Sequence, residues 1–176
     1  MRTRIALMGI LALAGCGGGG GGDIHDPWYV QYSNGHPIAA EPDSDYAVAV
    51  EDDLLAMINN HRIVAGRGAL IESGSVSDVA RAHSVHMAIH DFEGPVNPEG
   101  DGPATRASMA GLSFYRYDEV LAAGSPSAVE VFDDWLSVPS MHDRIDDPFW
   151  THMGGGYHEH PGSYFTYYWT VDFLEQ

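Results

Sequence analysis

The sequence predicts an α+β fold in which helices pack on a small antiparallel sheet. Two observations carry the prediction. Helical spacing of apolar residues dominates the first half of the folded region, and strand-like runs close the chain. The two closing runs are joined by Glu159-His160-Pro161-Gly162-Ser163, a good connector for an antiparallel hairpin. Helices first and a hairpin last imply helices layered on a sheet.

Residues 51–65 read as a helix. Leu54, Leu55, Ile58 and Ile63 recur near helical spacing, and Gly66 and Gly68 end it. Residues 75–90 read as a second helix, with Ser75 as its cap and Asp78 three residues on, as in a capping box. Val79, Ala80, Ser84 and Met87 form its packing stripe. Residues 93–103 are a loop rich in Gly and Pro, and 105–111 fit a short helix ended by glycine. Residues 112–123 read as the first strand region. Ser125 opens a further helix with Pro126 at its first position, and Val131, Phe132, Trp135 and Leu136 give that helix an apolar face. Residues 152–158 and 164–173 are the closing strands.

The start of the chain has the parts of a secretory signal over residues 1–15. Arg2 and Arg4 give a positive start, and residues 5–13 are apolar except for Gly9. This run is shorter than the roughly 20 apolar residues that cross a bilayer. Leu13-Ala14-Gly15-Cys16 resembles the lipobox of bacterial lipoproteins, so Cys16 is the expected lipid anchor. The alternative is an ordinary signal with an incidental cysteine. Cys16 is the chain's only cysteine, which excludes an internal disulfide. In lipoproteins, Asp after the anchor often retains the protein at the inner membrane. Here Gly17 follows, which favours the outer membrane. Residues 17–22 are a glycine tether. Residues 23–43 carry Pro27, Pro37 and Pro42 with little periodicity, and read as an extended arm over the surface or as more linker. The expected organisation is signal 1–15, lipidated tether 16–43 and one domain over 44–176, long enough for a proper core.

The chain carries 8 basic and 25 acidic residues, for a net charge of −17, and has no lysine. Nucleic acid is not an expected partner, because binding it needs a basic face. Anionic headgroups repel such a domain, so the expected membrane contact runs through lipid on Cys16.

Several motifs, taken in order, resemble one family. Ile58-Asn59-Asn60-His61-Arg62 is similar to the first-helix signature of the CAP superfamily, the cysteine-rich secretory, antigen 5 and pathogenesis-related proteins (SCP-like domains). Ala80-Arg81-Ala82-His83-Ser84-Val85-His86-Met87-Ala88 resembles its second helix. Asn97-Pro98-Glu99-Gly100, Arg106 and Ala110-Gly111 resemble the loop and short helix of bacterial members. Asp118-Glu119-Val120 sits where the family has Gly-Glu-Asn. Trp135-Leu136-Ser137 leading to His142-Asp143-Arg144 resembles the bacterial tryptophan-to-arginine stretch. Met153-Gly154-Gly155-Gly156 and residues 168–173 match the closing hairpin. The resemblance implies a three-layer α-β-α sandwich and an exported protein.

The resemblance also implies a cleft with two histidines and two acids, which in some members holds a divalent metal. Glu119 falls on one acid and His142 on the second histidine. Pro95 stands where the first histidine belongs, and Val138 where the second acid belongs. Neither side chain offers a lone pair, so a four-ligand site is not expected and zinc should bind weakly at most. Glu119 and His142 then either line a ligand cleft or face one another in a buried structural hydrogen bond, which would raise the imidazole pKa.

Other histidines offer alternatives. His83, His86 and His90 fall within about 60° of one helix face, and spacing of four suits a transition metal. The competing reading is helix packing for His83 and surface polarity for the other two. His158 and His160 flank Glu159 at the hairpin tip, where alternate residues point together and could chelate, although a solvated turn is the favoured reading. His61 reads as a helix-surface residue.

Two functions follow. The first is a tethered, non-catalytic module that binds an extracellular lipid, glycan or peptide, since half of the acid/histidine cleft is missing. Tyr164, Tyr167, Tyr168 and Trp169 offer stacking faces, although alternation in a strand turns half of them into the core. The alternative is a hydrolase, such as a peptidase, with His142 as general base and Glu119 orienting it. Ser84, Ser137 and Ser140 are candidate nucleophiles by sequence proximity alone, with no Gly-x-Ser-x-Gly elbow.

Overall fold

A computed structural model describes residues 30–33 and 36–176. The signal segment, Cys16 and the glycine run lie outside the described residues. In chain order the elements are β1 (Val30–Ser33), β2 (His36–Ala40), α1 (Asp45–Val64), β3 (Ile71–Glu72), α2 (Gly74–Ile89), α3 (Pro103–Met109), β4 (Arg116–Ala123), α4 (Ala128–Ser137), α5 (Pro139–Ile145), β5 (His152–Glu159) and β6 (Tyr167–Glu175).

The main sheet has the order β3-β5-β6-β4. β5 and β4 each pair antiparallel with β6, as the hairpin pattern implies. The sheet is nevertheless mixed, because β3 pairs parallel with β5. Two residues are too few to show a strand period, so this edge is silent in the sequence.

Alternation along β5 sets the layers. A Cβ on Gly154 or Gly156 would lie 2.2 Å from the backbone nitrogen of Ser77 or Arg81 in α2. A Cβ on Gly155 would instead meet Leu55 of α1 at 3.4 Å. α1 and α2 therefore cover opposite faces of the sheet, giving the α-β-α sandwich. Glycine at 154 and 156 is what lets α2 sit so close. On β6 the same alternation sends Trp169, Val171 and Phe173 into a core with Leu54, Leu55, Ile58, Val131 and Trp135. Tyr168 faces the other way and packs on Met87 and Ala88 of α2.

α1 begins six residues before its predicted start, capped by Ser44, whose side chain accepts from Ala47 N at 3.1 Å. Its buried face runs Ala47, Glu51, Leu54, Leu55, Ile58 and Arg62. The charge of Glu51 in that stripe hides the helix's first turns from a count of apolar positions. Glu51 is nearly inaccessible. It takes a bidentate bond from Arg81 and accepts from Tyr157 N at 2.8 Å, tying α1 to both α2 and β5. Burial raises its pKa, and Arg81 opposes that rise. The expected caps at Ser75 and Ser125 are not the ones used. α2 starts at Gly74 behind Ser73, and Ser127 caps α4 by accepting from Glu130 N at 3.3 Å.

Val30–Ser33 and His36–Ala40, read as part of an extended arm, pair antiparallel as β1 and β2. Val30 and Ala40 pack on Ala82 and Val85 of α2. α2 thus lies between the sheet and the hairpin, which explains why residues 82–88 are all buried.

Candidate functional site

The sequence brought together Glu119 and His142, and in the structure each contacts a different partner, Arg106 and Asp146. Glu119 stands opposite Asp172 in the β4–β6 ladder, on the face that meets α2 and α3. Val120, one residue on, joins the core shared with α1 and α4. His142 belongs to that second layer, on α5. Glu119 is instead the partner of Arg106 on α3, whose Nη2 donates to Oε2 at 2.6 Å. Arg106 Nη1 donates to the carbonyls of Pro95 at 2.8 Å and Asp101 at 3.0 Å. Pro95 therefore contributes a carbonyl to a salt-bridge anchor. Val138 is the residue between α4 and α5, and it is partly exposed.

This corner is a buried charge network. Burial raises Glu119 to about 8 and Asp172 to about 7, against the opposing pull of Arg106. One guanidinium faces two carboxyls, so the pair retains a proton near neutral pH. His83 is fully buried, with Nε2 2.9 Å from the Gly94 carbonyl. A carbonyl only accepts, so that nitrogen carries the proton. Burial, and then Arg106, lowers its pKa well below the ordinary value, so it stays neutral. His83 Nε2 lies 3.9 Å from Glu119 Oε1, beyond hydrogen-bond reach.

The three α2 histidines do not converge as ligands. His86 is buried with Nε2 3.5 Å from Glu99, and exposed His90 presents its ring edge to His86 at 4.6 Å. His158 is also buried, and its Nδ1 lies 3.2 Å from Asp43. It is part of β5 and not of a solvated turn. His160 is exposed, and its ring stacks 6.0 Å from His158.

A different trio converges. Among the described residues, the one group of three metal-competent side chains is His61, His142 and Asp146, with ligand atoms within 4.8 Å of one another. His61 Nε2 lies 3.1 Å from Asp146 Oδ1, and His142 Nε2 lies 3.5 Å from Asp146 Oδ2. The two rings meet edge-on with centroids 5.2 Å apart. This arrangement is compatible with weak coordination of a divalent metal such as zinc. Sequence reasoning placed His61 on the helix surface and passed over Asp146. The legible signal was the four-residue step from His142 to Asp146, which puts both on one side of a helical turn.

The site is built by its neighbours. Arg62, next to His61, is buried, and its Nη1 donates to the Ile145 and Asp147 carbonyls. Those carbonyls flank Asp146, so Arg62 pins that residue beside α1. Asp146 N also donates to the His142 carbonyl at 2.9 Å, closing α5. Asn59 holds the next loop by two bonds with the Leu70 backbone. The Asn59–Arg62 signature thus works as a pair of backbone clamps.

Beside the trio, Met57, Asn60, Val64 and Phe132 line an open groove of about 390 Å³. Met57 and Asn60 also line a second groove, of about 570 Å³, which continues between α1 and α4 to Tyr46 and Val129. The cleft at Glu119 is smaller, about 120 Å³, with Pro95, Met141 and Arg144 on its walls.

Residues 55–173 match the model of the CAP family, described as the cysteine-rich secretory protein family. The chain belongs to the CAP family. Among curated proteins, none matches it. Of solved structures, an SCP-domain extracellular protein from Bacillus anthracis is similar at 18% identity with a TM-score of 0.67, over 78% of this chain and 45% of that one. An outer surface protein from Borrelia burgdorferi is similar at 18% identity with a TM-score of 0.68, over 78% of this chain and 98% of that one. A cysteine-rich secretory protein from Staphylococcus aureus gives 14% and 0.59, over 75% of this chain and 40% of that one. The matched region thus spans under half of the Bacillus and Staphylococcus proteins and nearly all of the Borrelia protein. These likenesses establish the CAP fold.

The CAP family's metal cleft does not fit this chain. Its two retained positions, Glu119 and His142, serve opposite layers, and Glu119 is committed to Arg106. No chemistry is assigned to a metal held there. Among the described residues, no helix is long and apolar enough to cross a membrane.

Proposed function

We propose that this CAP domain is a hydrolase whose general base is His142, with Asp146 in the orienting role first expected of Glu119. The single observation that carries the reading is the convergence of two imidazoles on one carboxylate beside a groove. A carboxylate fixes the imidazole tautomer and stabilises the imidazolium that forms. The attacking group is water. Ser84 is buried, donates to the Gly156 carbonyl and pairs its oxygen with the Thr170 hydroxyl, and Ser137 donates to the Asp134 carbonyl, so both are engaged elsewhere. His142 accepts a proton from water as the oxygen attacks an acyl carbon. The imidazolium then returns that proton to the departing amine or alcohol as the acyl bond breaks. The acidic domain favours neutral or cationic substrates, such as basic peptides, over anionic ones.

The second reading is a non-catalytic module that holds an extracellular lipid, glycan or peptide in the α1–α4 groove. The length of that groove favours it. A panel of peptides and acyl esters separates the two readings. Turnover that disappears in His142→Ala and falls in Asp146→Asn supports the hydrolase. No turnover by the parent protein, with ligand binding retained, overturns it in favour of the module. In either reading the protein is anchored at the cell envelope by lipid on Cys16, with the outer membrane favoured.

A further inference from the structure

We propose that His61, His142 and Asp146 form a zinc site of the three-ligand kind, distinct from the family cleft. Zinc bonds to imidazole nitrogen and carboxylate oxygen are roughly 2.0–2.2 Å long. A tetrahedron with such bonds has edges of about 3.4 Å. The His61–Asp146 and His142–Asp146 separations, 3.1 and 3.5 Å, are close to that edge. Moderate closure of the two rings on one another completes the face.

Two further observations point to a bound cation. His61 Nε2 and Asp146 Oδ1 are sealed from solvent and face one another, yet make no hydrogen bond of proper geometry. A buried polar atom left in that state is costly, and a shared cation would satisfy both. The supports are also in place beforehand. Arg62 fixes the carbonyls on either side of Asp146, and Phe132 holds the His61 ring edge-on at 5.9 Å. Pre-positioned ligands and outer partners of this sort are what a metal site needs.

The ligand set selects the ion. Two imidazoles and one carboxylate suit zinc, whereas calcium and magnesium prefer all-oxygen shells of six or more ligands. His142 is about two-fifths exposed, so the cluster is open to solvent on its side. Three protein ligands and one open position characterise catalytic zinc sites. Arg62 offsets part of the Asp146 charge, which weakens the site. The inference bears on the same side chains as the hydrolytic reading but does not depend on it: His142 serves as base only in the metal-free protein and is a ligand when zinc is bound.

The experiment is calorimetric titration of the chelator-treated protein with zinc, with cobalt absorption as a second readout. The expected result is one zinc per chain with micromolar Kd. His61→Ala, His142→Ala and Asp146→Asn each should weaken binding by at least the roughly 10- to 100-fold that loss of an outer partner costs. His90→Ala, on α2, should leave it unchanged. Far-UV circular dichroism confirms that each variant is folded, and His61→Gln replaces any that is not. Absence of zinc heat and cobalt colour, or binding indifferent to His61 and Asp146, overturns the site. In that case the His61–Asp146 contact is a direct side-chain contact with no metal between. Zinc bound with no turnover on any substrate leaves the site standing and overturns the hydrolytic reading. Turnover without zinc binding does the reverse.

Discussion

Glu119 and Asp172 face one another across the β4–β6 ladder, both buried, with Arg106 as their shared cation. Burial is the largest cause of the rise in both carboxyls, to about 8 and about 7. A carboxyl whose folded pKa is raised contributes stability that is complete below its unfolded value near 4. That contribution is lost as pH rises through the folded value. The domain should therefore lose stability between about pH 5 and 8, most steeply below about 7 and levelling off above 8. Asp43 acts oppositely at the acid end, because its bond to His158 lowers its pKa. Urea melts at several pH values test this. The midpoint should fall from pH 5.5 to 8.5 in the parent protein and much less in Asp172→Asn. A flat profile in the parent would contradict the buried shared proton.

Arg106→Ala removes the cation and leaves the carboxyls without it. It also frees the Pro95 and Asp101 carbonyls. Breaking a buried pair by removing one partner costs about 3–5 kcal/mol. Chemical denaturation at pH 7 should show a loss of that order. A loss below about 1 kcal/mol, the scale of exposed pairs, would mean the network is open to solvent.

The three consecutive glycines of β5 should respond unequally to alanine. At Gly154 and Gly156 the new methyl meets α2 backbone at 2.2 Å, which cannot yield without moving the helix. At Gly155 it meets the Leu55 side chain at 3.4 Å, which can shift. Gly154→Ala and Gly156→Ala should fail to fold or lose more than the roughly 1–3 kcal/mol of ordinary overpacking. Gly155→Ala should lie within or below that range. Equal effects at all three positions, read from thermal melts, would refute the opposed packing of α1 and α2.

Much of this fold was legible because its pattern is periodic. The closing strands, the second helix and the ordered family motifs all appear in residues 58–174. What escaped was carried by residues whose type misleads. Glu51 sits in the core stripe of α1 between Ala47 and Leu54, and its charge hid the helix's first turns. β3 is two residues long and has no period. The site was half legible. His142 was found by likeness, while Asp146 and His61 become its neighbours only because Arg62 folds residues 145–147 back onto α1. That contact spans more than 80 residues of sequence, and no local pattern announces it. Glu119 and His142 looked like partners because each matched a family position. Strand alternation at Glu119 and Val120 decides otherwise.

Cys16→Ser tests the anchor. Lipid on that cysteine is expected from the lipobox and the glycine run that follows. The variant should move to the soluble fraction or stall before processing, and only the parent should take up labelled fatty acid. Membrane association unchanged in the variant, with no label on the parent, would end the lipoprotein reading.

Deleting residues 1–41 tests what the arm does. The sequence offered an extended arm or a linker, and a linker could be trimmed at no cost. In the structure Val30 and Ala40 are buried on Ala82 and Val85, so the β1–β2 hairpin covers an apolar strip of α2. Burying a side chain of valine size contributes about 1.5–3 kcal/mol, and an alanine less. The truncated domain keeps α1, its Ser44 cap and both sandwich faces, so it should fold. It should also melt at lower denaturant by a margin equivalent to about 2–3 kcal/mol. Hydrogen exchange should rise at residues 82–89 and stay unchanged in β5 and β6. The local readout separates this account from general weakening. Exchange that rises equally throughout the sheet would show the hairpin to be integral to the core. Stability equal to that of the full chain would show it to be linker.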